Sequence, residues 1–463
     1  YPHSPVLMDL CDRMGFLVMD EAFDEWFMGK RDFSYFRFFH DWWERDLTDM
    51  IRRDRNHPCV ILWSIGNENM ERKASEGAEM ARKMVEVVHR LEPTRPVTSG
   101  MNYMHDANES GFSLALDVVG YNGGGGSVFH CRDDKAQYPD RKMFGSENPH
   151  TYGTRSIYRT HSRHRNESGL EWTKMETREV PHLTEEEVFP FFDDAYHSSY
   201  DNAYVRTCIR DSWRWMMENE CMAGEFRWTG FDYLGESHGW PARTSNAGVL
   251  DLAGFPKDAF YLYQRLWTGK PMLHILPHWS WPQIKEGTII PVWAYSNCDS
   301  VELFLNGQSL GLKVVGDAYN LSWDVPYRPG VIQAIARKDG RIVSIKEQRT
   351  AEKADRIELS VDRSLIRAHG QDIAHVTVRV LDRNGVLVPY GDHRIDFEIR
   401  GSGHLLGVEN GDPNDLDCCK DPSRKVFGGM CLAIVQANRR PGQICVNASS
   451  ADLAPAALEI CSY

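Results

Sequence analysis

The sequence predicts a multidomain chain in which a parallel βα sheet of barrel type is followed by two β-sandwiches. Three observations carry this. At 463 residues the chain exceeds one ordinary compact domain, and roughly 150 residues per domain suggests about three. Up to about residue 270, short unbroken apolar runs alternate with longer amphipathic segments; beyond it, helical periodicity fades and short strands are spaced by turn signals. A charged stretch, Glu347 to Arg356, divides the strand-rich part in two.

The elements follow in order. Gly15 to Glu21 is a short buried strand ending in the carboxylates Asp20 and Glu21. Glu44 to Asn56 has helical spacing, with Leu47, Met50 and Ile51 on one side. Cys59 to Ile65 is a continuous apolar strand that runs into Gly66-Asn67-Glu68-Asn69. Glu71 to Leu91 is a strong helix, because Ala78, Ala81, Met84, Val85 and Val88 recur at i, i+3 and i+4. Pro96 to Ser99, Asp117 to Tyr121, Lys142 to Ser146 and Gly224 to Thr229 are further strands, and Asp201 to Glu220 is a helix. Strands without alternation, separated by helices, imply a parallel sheet of about six strands covered on both faces. Later, Ile289 to Tyr295, Val301 to Leu305 and Val331 to Ala336 are set off by Asn306-Gly307, Pro329-Gly330 and Asp339-Gly340. From Ile357 a second all-β block contains Val376 to Val380 and Ile395 to Ile399.

Composition excludes several classes. A formal net charge of -13 argues against a nucleic-acid binder. No run of 18 apolar residues exists, which excludes a membrane helix. Eleven cysteines without a C-x-x-C spacing do not make a disulfide framework or a zinc site, and most thiols are expected to be buried and inert. His161 and His164, in the polar stretch Thr160 to Glu167, read as a solvated loop rather than a ligand pair. The chain opens at Tyr1-Pro2 with no initiator methionine and no signal peptide, as the interior of a longer protein would.

In a βα barrel, functional groups lie at the C-terminal ends of the strands. Those ends supply Asp20 and Glu21, Asn67 and Glu68, Tyr121 and Asn122, Glu147, then Trp228 and Asp232. There is no Ser-His pairing, no Gly-x-Gly-x-x-Gly loop and no phosphate-binding Lys-Ser/Thr. A carboxylate-rich mouth with aromatic walls suits glycoside hydrolysis, which needs one carboxylic acid and one carboxylate. Each candidate also has a structural reading. Glu68 and Glu147 suit helix-terminal or capping charges. Trp63 and Trp228 suit core positions, and Glu21 and Glu25 suit partners of arginines in neighbouring loops. On spacing alone the reading ends at a barrel enzyme of hydrolase type.

Asn56-His57-Pro58-Cys59-Val60-Ile61-Leu62-Trp63-Ser64-Ile65-Gly66-Asn67-Glu68 resembles the acid/base signature of glycoside hydrolase family 2, which includes β-galactosidases, β-glucuronidases and β-mannosidases. Leu10 to Glu21 resembles that family's segment from the second to the third strand. Phe144-Gly145-Ser146-Glu147 falls at its nucleophile, and Gly224 to Glu236 resembles its eighth strand. His274 to Gly311 and residues from about 355 to 460 resemble its later sandwich domains. The resemblance implies an incomplete (β/α)8 TIM barrel over residues 1–270, its first strands absent, then immunoglobulin-like β-sandwiches over 271–350 and 351–463.

The resemblance also implies a retaining exo-β-glycosidase of β-galactosidase type acting on an oligosaccharide or polysaccharide. Glu147 is its nucleophile and Glu68 its acid/base. Asn67, Tyr121, Trp228, Glu21 and Glu25 are its substrate-binding residues. Another specificity of the same family, or a non-catalytic carbohydrate-binding role for the sandwiches with Trp279, Trp281 and Trp293, is the alternative. No cofactor is implied. Some members hold Mg²⁺ with a glutamate and a histidine two positions later; Glu25 matches the first, but Phe27 stands at the second and offers no ligand, so no metal is expected there. An open barrel leaves unpaired edges, so residues 1–463 alone are expected to fold poorly or hydrolyse weakly. The resemblance slightly favours a periplasmic or secreted location, and oligomeric state is not legible.

Overall fold

The computed structural model describes residues 2–123, 127–158, 160–165, 175–180, 196–201, 208–237 and 239–463. Part of the polar stretch Thr160 to Glu167 lies outside these residues, as do residues 202–207 of the expected helix Asp201 to Glu220. The chain forms two compact units: one comprises Tyr1–His150, His164–Glu176 and Val205–Trp228, and the other comprises the remainder.

The first unit is built on a six-stranded parallel sheet, β1 (Val18–Glu21), β2 (Val60–Asn67), β3 (Val97–Met101), β4 (Val119–Asn122), β5 (Met143–Glu147) and β8 (Met222–Glu225), neighbours in that order. It is an incomplete TIM barrel, two strands short of the eight that close one. A separate two-stranded pair, β6 (Thr160–Arg165) and β7 (Met175–Val180), lies between β5 and β8 in sequence; the stretch holding His161 and His164 is therefore strand, not the expected loop.

The helices follow from local chemistry. In α1 (Pro5–Met14), the Ser4 hydroxyl caps Leu7 N–H at 3.2 Å, Pro5 fills the first turn and Gly15 ends the helix at φ +76°. α2 (Phe36–Asp54) starts well before the expected Glu44, because Phe39 is a core residue that stacks on Trp26 at 6.0 Å. In α3 (Ser75–Leu91) the predicted stripe of Ala78, Ala81, Met84, Val85 and Val88 is buried, while the expected first turn at Glu71 is a short 3₁₀ segment, Met70–Lys73. α4 (Met104–Glu109), α5 (Cys131–Gln137) and α6 (Ile209–Met217) complete this unit. Trp63 is a core residue, fully buried, its indole N–H donating to Glu92 Oε2 at 3.0 Å. Asp20 is also fully buried; burial first, then Asp54 beside it, raises its pKa.

In the second unit, β9 (Tyr233–Leu234) and β10 (Thr244–Ser245) form an antiparallel pair and α7 (Asp258–Trp267) follows. A three-stranded sheet of β11 (Leu273–Leu276), β12 (Ile289–Ser296) and β15 (Leu321–Pro326), and a four-stranded sheet of β13 (Ser300–Leu305), β14 (Gln308–Val314), β16 (Val331–Lys338) and β17 (Arg341–Arg349), share one core that includes Val292, Val301, Leu303, Trp323 and Ile332. β13 alternates buried and half-buried residues, as one face of a sandwich requires. Trp279 lies in that core with its N–H donating to Arg328 O at 3.0 Å, which favours its structural reading. Residues 354–462 form a second, nine-stranded sandwich around Val376, Val378, Val435 and Val446. All eleven cysteines are unbridged. Among the described residues, no helix is long and apolar enough to cross a membrane.

Candidate active site

Strand register brings the candidate residues together. β4 pairs with β5 so that Asn122 stands opposite Glu147. β2 pairs with β3 so that Asn67 stands opposite Gly100. β1 places Glu21 opposite Ser64, whose hydroxyl donates to Glu21 Oε2 at 2.8 Å. Gly100 is needed for this convergence: a Cβ there would come within 2.8 Å of Asn122 Oδ1 and 3.0 Å of Asn67 Oδ1.

Glu68 is the first residue past β2, and its backbone sits in the left-handed region at φ +47°. A non-glycine residue held there costs of order 1–3 kcal/mol and persists only where its surroundings impose it. Those surroundings are visible. Glu68 N–H donates to Gly100 O at 2.8 Å, and the buried Arg72 donates through Nη1 to Asn69 O at 2.7 Å and to Glu68 O at 3.4 Å. The backbone strain turns the Glu68 carboxyl toward β3 and β4. There Asn102 Nδ2 donates to Oε2 at 2.7 Å and Asn122 Nδ2 donates to Oε1 at 3.0 Å.

The same Asn122 nitrogen lies 3.0 Å from Glu147 Oε2 and 2.9 Å from Asn67 Oδ1. Because one nitrogen reaches both carboxylates, Glu68 Oε1 and Glu147 Oε2 are separated by no more than twice 3.0 Å. Retaining pairs stand about 5–5.5 Å apart, carboxyl to carboxyl, a spacing this bound admits. Glu147 Oε1 lies 2.7 Å from His150 Nε2, so each oxygen of this carboxylate has its own partner. Ser146 Oγ donates to Asn122 Oδ1 at 2.6 Å and fixes the orientation of that amide.

The electrostatics separate the two carboxyls. Burial raises the Glu68 pKa, and the negative charge of Glu147 raises it further; the Asn122 hydrogen bond and the charges of His150 and Lys30 oppose this. Glu21 is raised too, by burial first, with Asp24 and Glu147 adding to it and the Ser64 hydroxyl opposing. Asn67 is clamped on both sides, its Nδ2 donating to Asp24 Oδ1 at 3.1 Å while its Oδ1 accepts from Asn122. Lys30 Nζ bridges Asp24 Oδ1 at 2.9 Å and Asn67 O at 2.8 Å.

Glu21, Asn67, Glu68 and Glu147 are therefore brought into one cluster. Tyr121 is not. It is fully buried and its hydroxyl donates to Asp134 Oδ2 at 2.8 Å, toward α5, because successive residues of a strand face opposite ways and Asn122 takes the face toward the carboxylates. Glu25 is not a free ligand either. It is buried, with Oε1 accepting from Phe36 N at 3.0 Å and Oε2 from Lys30 N at 2.7 Å, so it organises the loop after β1. With those oxygens occupied, and Phe27 stacked on His40 at 5.5 Å, this pair does not fit a Mg²⁺ site. Trp228 is half-buried, three residues beyond the end of β8. Asp232 belongs to the second unit, where it is closed off in a buried 2.6 Å ion pair with Lys257. The reading from sequence missed Asn102, His150 and Asp24; only Asn122 was among the strand-end residues.

Three family models match the chain: "Glycosyl hydrolases family 2, TIM barrel domain" over residues 1–112, "Domain of unknown function (DUF4982)" over 287–344 and "Glycoside hydrolase family 2 C-terminal domain 5" over 357–459. The chain belongs to glycoside hydrolase family 2. It is 40% identical over 500 residues to the β-galactosidase BoGH2A of Bacteroides ovatus, an alignment covering 99% of this chain and 56% of that protein. It is 37% identical to a putative β-glucuronidase of Formosa agariphila, covering 96% and 42% respectively. A crystal structure of a β-glycosidase from Bacteroides vulgatus superposes with a TM-score of 0.85 at 37% identity, covering 99% of this chain and 58% of that one. The chain thus spans about half the length of these relatives.

Proposed function

We propose that this chain carries the catalytic pair of a retaining exo-β-glycosidase of the β-galactosidase type. The observation behind this reading is the single amide nitrogen of Asn122, 3.0 Å from a carboxylate oxygen of both Glu68 and Glu147. Two carboxyls bridged by one donor can stand at the spacing of about 5–5.5 Å that suits direct attack by one carboxylate.

In this reading Glu147 attacks the anomeric carbon. His150 and Asn122 hold its two oxygens in place, so little reorganisation precedes attack. Glu68, kept protonated by burial and by the charge of Glu147, donates its proton to the departing glycosidic oxygen. Formation of the glycosyl ester neutralises Glu147. One cause of the raised Glu68 pKa is then gone, and Glu68 becomes the base that deprotonates the incoming water. Asn67, clamped by Asp24 and Asn122, offers its amide to a sugar hydroxyl. Glu21 lies close enough to feel the charge of Glu147 and supplies a further acceptor, while Trp228 is proposed as the platform for the ring. The reading assigns Glu25 and Phe27 no metal to hold.

The galactoside reading is supported by the Bacteroides ovatus relative. The glucuronide reading is kept as the second because of the Formosa agariphila relative, at 37% identity. Residues 1–270, 271–350 and 351–463 are proposed as the barrel and the two sandwich domains. A panel of nitrophenyl β-D-galactoside, β-D-glucuronide and β-D-mannoside separates the specificities, with the galactoside expected to give the highest kcat/KM. Proton NMR of the first product should show the β-anomer. Release of the α-anomer overturns the retaining mechanism, and a glucuronide preference moves the assignment to the second reading.

A further inference from the structure

Cys131 opens α5, and Cys221 lies in the turn just before β8. Their sulfurs are 3.5 Å apart, in direct contact across 90 residues of sequence. Both belong to the first unit, where Cys131 is fully buried in the core and Cys221 is half-buried against it. The approach is fixed from both sides. Arg132 donates through Nε to Asn219 Oδ1 and through Nη2 to Glu218 O at 3.4 Å. Asn219 in turn donates to Trp215 O at 2.5 Å and accepts from Met222 N at 2.9 Å. Phe129 meets Trp215 edge to face at 5.6 Å.

We propose that Cys131 and Cys221 are an oxidisable pair that takes up a low-molecular-weight disulfide such as glutathione disulfide and closes a bond between α5 and the start of β8. The sulfurs need to approach by only about 1.5 Å to reach the S–S length of about 2.05 Å. Cys221 reacts first, since it is the more exposed. Its thiolate attacks one sulfur of glutathione disulfide, the S–S bond breaks, and one glutathione thiolate leaves with the electron pair. Cys131 then attacks the Cys221 sulfur of the mixed disulfide and expels the second glutathione. The two protons lost by the cysteines end on the two glutathione thiols, so protein dithiol and one disulfide become protein disulfide and two thiols. The second step is the slow one, because burial first, then the neighbouring Cys221, raises the pKa of the Cys131 thiol. The ring so closed contains β5 with Glu147 at its end. The pair stands independently of any catalytic role for that residue.

The test is to incubate the reduced protein with excess glutathione disulfide, denature it, count thiols and map peptides by mass. The expected result is one peptide pair joining Cys131 to Cys221, separate from any glutathione adducts on the exposed Cys418 and Cys461, and a higher midpoint of thermal unfolding that dithiothreitol reverses. C131S should stop at a glutathione adduct on Cys221, and C221S should leave Cys131 unmodified. The wild-type peptide map is decisive even if a variant misfolds. Persistent free thiols at both positions, a stable adduct on Cys221 in the wild type, or a bridge between other cysteines overturns the proposal.

Discussion

Glu68 and Glu147 share one hydrogen-bond donor: Asn122 Nδ2 stands 3.0 Å from Oε1 of the first and 3.0 Å from Oε2 of the second. The two acids differ in what else they touch. Glu147 has His150 on its other oxygen, whereas Glu68 has Asn102. Two carboxyls bound to one donor feel each other's charge, and only one of them readily ionises.

The first prediction follows from their separate roles. Replacing Glu68 with alanine removes the proton donor, so a substrate with a poor leaving group should lose about 10²–10⁴-fold in rate. A nitrophenyl glycoside needs little protonation and should lose far less in its first step, and added azide should restore turnover by replacing the activated water. Replacing Glu147 with glutamine should abolish both reactions. Steady-state kinetics on the two substrate types decide this; equal losses for both in E68A would remove the acid/base assignment.

Asn122 carries the second. Its hydrogen bond to Glu68 favours the ionised carboxylate and so opposes the effects of burial and of Glu147. In N122A that opposition is gone, and Glu68 should hold its proton to higher pH. The alkaline limb of the kcat/KM profile should shift upward even as the rate falls by about 10²-fold from loss of the aligned pair. An alkaline limb that stays in place or moves down contradicts the role given to this amide.

How far the sequence was legible depends on what each residue contacts. The parallel strands announced themselves because both of their faces are buried, leaving the unbroken apolar runs of Cys59 to Ile65 and Val118 to Tyr121. Glu68 and Glu147 stood out because they end such runs. Tyr121 and Asn122 are adjacent in the same strand, and choosing between them needed the register against β5, which no local pattern encodes. Asn102 and His150 were hidden for a related reason: they lie past strand ends, and their significance is a distance to a residue far away in sequence. Asn102 and His150 stand one and three places past the ends of β3 and β5, so a search of the first three residues after each strand would have found both.

The third prediction concerns Glu225, the last residue of β8. Its Oε2 meets Ser212 Oγ at 3.4 Å and, among the described residues, its Oε1 has no hydrogen-bond partner. Burial pushes its pKa up to about 7, against the opposing charge of Arg227 and the Ser212 hydroxyl. A carboxyl whose folded pKa is raised binds protons more tightly when folded. Its contribution is fully present below the unfolded value of about 4.5 and is lost as pH rises to about 7. E225Q should therefore leave stability unchanged at pH 4 and add about 3 kcal/mol at pH 8, seen as a higher unfolding midpoint there. Thermal scans at the two pH values test this; a gain of the same size at both would place the effect elsewhere than in titration.

The loop after β1 gives the last prediction, and it separates structure from metal chemistry. Glu25 accepts from the backbone of Lys30 and Phe36, and Glu71 Oε1 accepts from Met28 N at 2.5 Å, so two buried carboxylates together shape residues 25–36. If Glu25 served a metal, chelation would matter and E25A would resemble metal loss. If it serves the loop, E25A leaves two backbone donors unpaired at a cost of about 1–3 kcal/mol each, and the chelator does nothing. The expected outcome is a lowered unfolding midpoint for E25A and an unchanged rate for the wild-type protein in EDTA. Since Lys30 reaches from this loop to Asn67 O, the folded E25A fraction should also bind substrate less tightly, raising KM more than it lowers kcat. Loss of wild-type activity in EDTA, restored by Mg²⁺, would reverse the assignment of Glu25.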